Sequence, residues 1–270
     1  MKSHIDKPAG SEGSEVVDAG ARWHQRLAYF IAKWGLLLLL KVLFRLTIEG
    51  AENIPKGASV WAPNHRSYID TPVQAVVPMR LRFMGKDSMW NNRFFGWIFS
   101  TIGGFPVTRG TADRGALNTA LLVLRDGSDP VVAFPEGERK DGPRVHPLFD
   151  GAAYMASKAQ VPIVPVGIAG TAKAMPRAVK FPRPKKVHLV IGKPMAPPAL
   201  SDKGRVSRKE IKRVTEELRE EIQIVFDQAM ERIGTPNIYV PGSEPLPEHM
   251  VHDEIVAPRP QPKRDASGAS

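Results

Sequence analysis

Asn64-His65-Arg66-Ser67-Tyr68-Ile69-Asp70 sets a histidine and an aspartate five positions apart, directly behind the apolar run Val60-Trp61-Ala62. The unperturbed imidazole pKa lies nearest neutrality of all side chains, which suits histidine to take and return a proton. A carboxylate that accepts from one ring nitrogen fixes the tautomer and leaves the other nitrogen free to act as a general base. The same spacing also suits a partly exposed histidine in a strand-to-helix turn, with the aspartate capping the helix.

Further motifs follow in order. Gly85-Lys86 closes an apolar run, Leu81–Met84. Met89–Phe99 holds Trp90, Phe94, Phe95, Trp97 and Phe99, a concentration that suits a hydrocarbon-binding wall or a buried loop. Gly103-Gly104-Phe105-Pro106-Val107-Thr108-Arg109 is a glycine turn, an extended piece and then a cation whose planar fork matches phosphate oxygens. Phe134-Pro135-Glu136-Gly137-Glu138-Arg139 ends the run Val131-Val132-Ala133, at the strand end where open α/β folds place ligands. There Glu136 suits a hydroxyl and Arg139 a phosphate, although Glu136 and Arg139 also suit an internal ion pair. The prolines of Val161-Pro162-Ile163-Val164-Pro165-Val166 deny ladder donors, which points to an edge strand or a substrate-lining one.

The elements that position these residues are legible in the hydropathy pattern. Strands are expected at Leu46–Glu49, Ser59–Ala62, Leu81–Met84, Val131–Phe134, Ile163–Ile168 and Val187–Ile191. Helices are expected at Thr71–Val77, Arg114–Leu124, Ala152–Ala159 and Arg208–Arg232. The last opens on a capping box, Ser207 with Glu210, and carries Ile211, Val214, Leu218, Ile222, Val225 and Ala229 at three- and four-residue steps. This alternation indicates a single α/β domain with a mixed, largely buried sheet flanked by helices.

Residues 1–20 and 236–270 are polar or proline-rich and lack an apolar period, so they are expected to be disordered tails around a domain at 21–235. The first tail lacks the basic start and apolar middle of a signal peptide. Each tail carries a net charge of −2, so the body holds +14 against a chain total of +10. So basic a body suits nucleic acid, anionic lipid or phosphorylated substrates. No zinc-finger, helix-turn-helix or RNA-recognition pattern supports nucleic acid. The absence of cysteine excludes disulfides and thiolate chemistry. His65, Asp70 and Glu136 offer no second histidine at metal-ligand spacing, so no metal is expected. Residues 21–46 interleave Arg22, Arg26, Lys33, Lys41 and Arg45 with Trp23, Tyr29, Phe30, Trp34, Phe44 and five consecutive leucines. At 100° per residue the five cations fall within about a 140° arc. Lys33 and Lys41 interrupt any uncharged span of about 18 residues, so an amphipathic helix in a membrane interface fits better than a spanning one. A core helix is the other reading.

Taken together, the blocks at Asn64–Asp70, Gly103–Arg109, Phe134–Arg139 and Val161–Val166 resemble, in order and spacing, those of the 1-acyl-glycerol-3-phosphate acyltransferases, the PlsC-like lysophospholipid acyltransferases. Ile191-Gly192-Lys193-Pro194 is also similar to a late strand of that family. The chain departs at Glu138, where the family usually has threonine or serine, and so gains a negative charge beside the expected phosphate site. The resemblance implies that His65 takes the proton from a lysophospholipid hydroxyl, which attacks the thioester of acyl-CoA or acyl-carrier protein, while Asp70 orients His65. It assigns Arg109 and Arg139 to the acceptor's phosphate and places Glu136 and Gly137 near the glycerol, and Lys86 joins the phosphate candidates by its position alone. No cofactor is implied beyond the acyl donor as co-substrate. No serine elbow or cysteine offers a covalent acyl carrier. The implied location is the cytoplasmic face of the membrane, as a peripheral or monotopic protein. There, the basic helix and the loop cations Lys180, Arg183, Lys185 and Lys186 each add about 1 kcal/mol of attraction to anionic lipid. Another acceptor, such as glycerol-3-phosphate or a different lysolipid, and a non-catalytic lipid-binding module are the alternative readings.

Overall fold

The computed structural model describes residues 23–93, 96, 99–100, 103–107, 114–126, 129–179 and 181–239. The expected tails at 1–20 and beyond 239 lie outside the described residues. A long helix, α1 (Trp23–Phe44), leads into β1 (Thr47–Glu49) and β2 (Val60–Pro63). Then come α2 (Asp70–Gln74), β3 (Arg82–Lys86), β4 (Gly104–Val107), α3 (Arg114–Arg125) and β5 (Val131–Val132). The chain closes with α4 (Gly151–Ala159), β6 (Ile163–Ala169), α5 (Thr171–Ala174), β7 (His188–Ile191) and α6 (Arg208–Arg232).

The strands form one seven-stranded sheet in the order β1-β7-β6-β2-β5-β3-β4. All neighbours are parallel except β6 and β7. The mixed sheet expected from the alternating pattern is therefore present. Side chains alternate across it, as the pleat requires. Val60, Ala62, Val131 and Ile163 pack with α3, α4 and α6 on one face. Trp61, Val132, Val164, Val166 and Ile168 pack with the end of α1 and with α2 on the other. Helices on both faces explain why β2 and β6 read as continuous apolar runs.

Three expectations change. The strand that begins after Pro162 is central, not at an edge, because β6 lies between β7 and β2. The N–H and C=O of a strand residue point to the same side, and the Pro165 carbonyl accepts from Gly192 N at 2.9 Å. The missing donor of Pro165 therefore faces the place where β7 ends at Ile191 and the chain bulges before pairing again at Met195. The Gly103–Arg109 block, read as a short extended piece, contains the edge strand β4, which pairs with β3 from Phe83↔Gly104 to Lys86↔Val107. At the carboxyl end, residues 236–239 are not free tail. Asn237 Nδ2 donates to Asp227 Oδ1 at 2.6 Å, and the Tyr239 hydroxyl bonds the same carboxylate, fixing this segment against α6.

The helix expected over 21–46 is present as α1. Leu40 and Phe44 are buried in the core, whereas Phe30, Ile31, Trp34, Leu38, Leu39 and Val42 are exposed. Among the described residues, no helix is long and apolar enough to cross a membrane.

The helix α6 packs so closely on β6 that Gly167 has no room for a side chain. A Cβ there would lie 2.1 Å from the Val225 carbonyl oxygen, a backbone atom that cannot step aside. Gly167→Ala is expected to cost about 1–3 kcal/mol or more of stability by overpacking. Urea unfolding measures it, and an unchanged midpoint would show that α6 can shift outward at no cost.

Candidate active site

The motif loops converge at the carboxyl end of β2 and β5, parallel neighbours at the centre of the sheet. His65 lies two residues past β2, and Glu136 lies four residues past β5. Asn64 anchors the turn. Its Nδ2 donates to the Ile168 carbonyl at 3.1 Å, and its Oδ1 accepts from Ile168 N at 2.7 Å. This fully buried amide continues the β2/β6 ladder past the last strand residue and delivers the chain to His65 in a defined direction.

His65 Nδ1 lies 2.8 Å from Asp70 Oδ2. The same oxygen accepts from Arg66 N at 2.6 Å and Ser67 N at 2.7 Å. Three donors thus converge on one carboxylate oxygen at the start of α2, and Asp70 is wholly buried. The imidazole side chain keeps 18% exposure, so its Nε2 is the nitrogen left to meet a substrate. The Phe134 ring stacks on it, with centroids 4.0 Å apart, which restrains the ring against rotation. The buried carboxylate and the partly open imidazole are the arrangement a general base requires.

Glu136 does not face a ligand. It is buried, and both its oxygens are taken internally. Oε1 accepts from His65 N at 2.9 Å and Arg66 Nη1 at 2.7 Å, and Oε2 accepts from Arg66 Nη1 at 3.0 Å and His146 N at 3.1 Å. With no lone pair directed at solvent, it positions the His65 loop rather than a glycerol hydroxyl. An internal ion pair does exist, but its cation is Arg66, not Arg139. Gly137 is likewise structural. Its φ is +72°, and a Cβ would meet the Phe149 ring at 2.4 Å.

Arg139 is half-exposed and stacks its guanidinium 3.6 Å from the centre of the Tyr68 ring. Tyr68 belongs to the His65 motif and is 61% exposed, so Arg139 stands beside that motif with its charge accessible. Lys140 N donates to the His65 carbonyl at 2.9 Å, which ties the two loops together again. Glu138, whose charge seemed out of place beside a phosphate site, is exposed and paired with Lys140 at 2.8 Å. The hydrogen bond and charge of Lys140 hold the Glu138 carboxyl below the usual range. The backbone of Lys86 ends β3, and its side chain lies outside the described residues, as does all of Arg109.

Sequence reasoning passed over Arg66, Asn64 and Phe134. One signal was available for Arg66. An unpaired cation in the first motif and an unpaired acid in the third, each directly behind an apolar strand, are complementary charges that a parallel sheet brings to one edge.

The fold and site define an α/β domain with a His–Asp pair at a strand end. Residues 45–169, which hold both the His65 and the Glu136 motifs, match the acyltransferase family model. A crystal structure of the 1-acyl-sn-glycerophosphate acyltransferase PlsC from Thermotoga maritima is similar at a TM-score of 0.60. It is 26% identical, and the likeness covers 82% of this chain and 88% of that one. A chloroplastic 1-acyl-sn-glycerol-3-phosphate acyltransferase from Brassica napus is 29% identical over 57% of this chain, and the match spans 46% of that relative's length. A lyso-ornithine lipid O-acyltransferase from Pseudomonas aeruginosa is 26% identical over 55% of this chain and 57% of its own.

Removing the charge of Glu136 leaves Arg66 buried without an answering anion. Glu136→Gln is expected to lower stability by about 3–5 kcal/mol. The paired replacement Arg66→Met with Glu136→Leu should recover part of that loss. Urea titration of the parent chain, Arg66→Met, Glu136→Leu and the pair measures the coupling, and strictly additive losses would show that the two side chains act independently.

Proposed function

We propose that this protein moves a fatty acyl group from a thioester donor, acyl-CoA or acyl-carrier protein, to the free hydroxyl of 1-acyl-glycerol-3-phosphate, forming phosphatidic acid. The observation that carries the reading is the 2.8 Å contact between His65 Nδ1 and the buried Asp70 carboxylate, beside an imidazole that stays partly open. Nε2 takes the hydroxyl proton as the acceptor oxygen attacks the thioester carbonyl carbon. The C–S bond then breaks, and the thiolate leaves with the proton returned from the imidazolium. Asp70 keeps the tautomer and supports the transient positive charge. The relatives named for 1-acyl-sn-glycerol-3-phosphate support the acceptor class.

In this reading, Arg139 holds the acceptor's phosphate, with Lys86 and Arg109 as further cations. Gly137 keeps the loop close to the glycerol, and Glu136 acts through the His65 backbone. The exposed apolar residues of α1 and the basic body support an anionic membrane surface as the place of work, at the cytoplasmic face where water-borne donors arrive. A second reading, transfer to a lysolipid without a phosphate monoester, is favoured by the lyso-ornithine lipid relative.

His65→Ala is expected to lower kcat by about 10²–10⁴ with an unchanged circular dichroism spectrum. Retained turnover would remove the base assignment. Arg139→Ala should raise the KM for lysophosphatidate while leaving that for the acyl donor in place. Assay against lysophosphatidate and lyso-ornithine lipid side by side separates the two acceptors, and a preference for the second would end the phosphate assignment.

A further inference from the structure

The segment between α5 and β7 carries Arg177, Lys180, Arg183, Lys185 and Lys186 with no acid, and it presents one large apolar side chain to solvent. Phe181 is 79% exposed, more than any other large apolar side chain among the described residues. Pro176, Pro182 and Pro184 stiffen the loop around it. Residues 181–186 are all exposed, so the phenyl ring stands at the tip of a basic projection rather than in a notch.

The base of this projection is fastened to the active site. Ser67 Oγ, inside the His65 motif, donates to the Met175 carbonyl at 2.8 Å. Arg183 N donates to the Ala174 carbonyl at 2.7 Å and closes the loop. Arg177 donates to the backbone carbonyl of Arg139 and lies 3.4 Å from Asp141. On the other side, Val187 N donates to the Phe44 carbonyl at 2.9 Å, which sets the loop beside the carboxyl end of α1 and its exposed Val42. An isolated surface phenylalanine needs no explanation. One flanked in sequence by cations and prolines, on a loop tied to both the His65 motif and the Arg139 backbone, calls for a partner that is apolar inside and anionic outside.

We propose that the 175–186 loop is a bilayer-inserting tip that couples membrane contact to the acceptor site. Phe181 enters the acyl boundary of an anionic bilayer, while Arg183 and Lys185 lie at headgroup level. Through Arg177, the seated loop holds the Arg139 backbone, so Phe181 is a positioning residue for lipid presented in a bilayer. The coupling rests on the acceptor assignment proposed above, whereas the insertion does not.

The test uses the full chain, Phe181→Ser and Phe181→Leu. Partition is measured on vesicles of mixed phosphatidylcholine and phosphatidylglycerol. Kinetics are measured with long-chain lysophosphatidate in those vesicles and with a short-chain lysophosphatidate dissolved as monomers. Phe181→Ser is expected to weaken partition about tenfold and to raise the vesicle-acceptor KM by a similar factor. Its kcat/KM on the monomeric acceptor should stay within about twofold, and Phe181→Leu should restore most of the loss. Equal losses on the two acceptors, or unchanged partition, would overturn the proposal. So would a loss confined to a protein-carried acyl donor, which would make the loop a dock for an acidic carrier. If the unaltered chain turns over neither acceptor while Phe181→Ser still weakens partition, the acceptor reading fails and the inserting tip stands.

Discussion

Everything at the carboxyl edge of the sheet depends on one buried carboxylate. Glu136 arrives from β5 and finds Arg66 and the His65 backbone arriving from β2. A charge removed from water is tolerated only when it is paired and fully hydrogen-bonded, and this one has both. The result is a rigid crosslink between two loops that would otherwise be set only by their strands. Because His65 N is one of the donors, the position of the imidazole is fixed through its own main chain, and Asp70 then has only the ring to orient.

A division of labour follows from this. Groups that look chemically useful are used for position when they are buried, as with Glu136, Asn64 and Arg66. Groups left partly open, namely His65, Arg139 and Tyr68, are those a ligand can reach. Tyr68 links the sets, since it comes from the His65 loop and its ring carries Arg139. The acid at position 138 fits the same logic. An exposed carboxylate paired with Lys140 alters the local field little, because solvent and its partner screen it.

Much of the architecture is legible along the chain because burial leaves a periodic trace. The helix at Arg208–Arg232 keeps the bounds its capping box and apolar steps indicate. The strands around Val60, Val131 and Ile163 stand out because both of their faces are covered. β4 is harder to see, since four residues containing a glycine and a proline at a sheet edge carry almost no period. Pro165 misled for a different reason. A proline marks a missing donor, but the side that donor would face is a property of the neighbouring strand's length.

The sequence by itself determined every strand of the sheet but β4, the longer helices that cover them and the His65–Asp70 pair, because these are local matters of periodicity and spacing. Only the tertiary structure decided that Glu136 pairs with Arg66, that Arg139 rests on Tyr68, and that the loop carrying Phe181 is tied at its base to Ser67 and to the Arg139 backbone. Each is a meeting of residues far apart in the chain, and strand order, which no local pattern encodes, determines which of them meet.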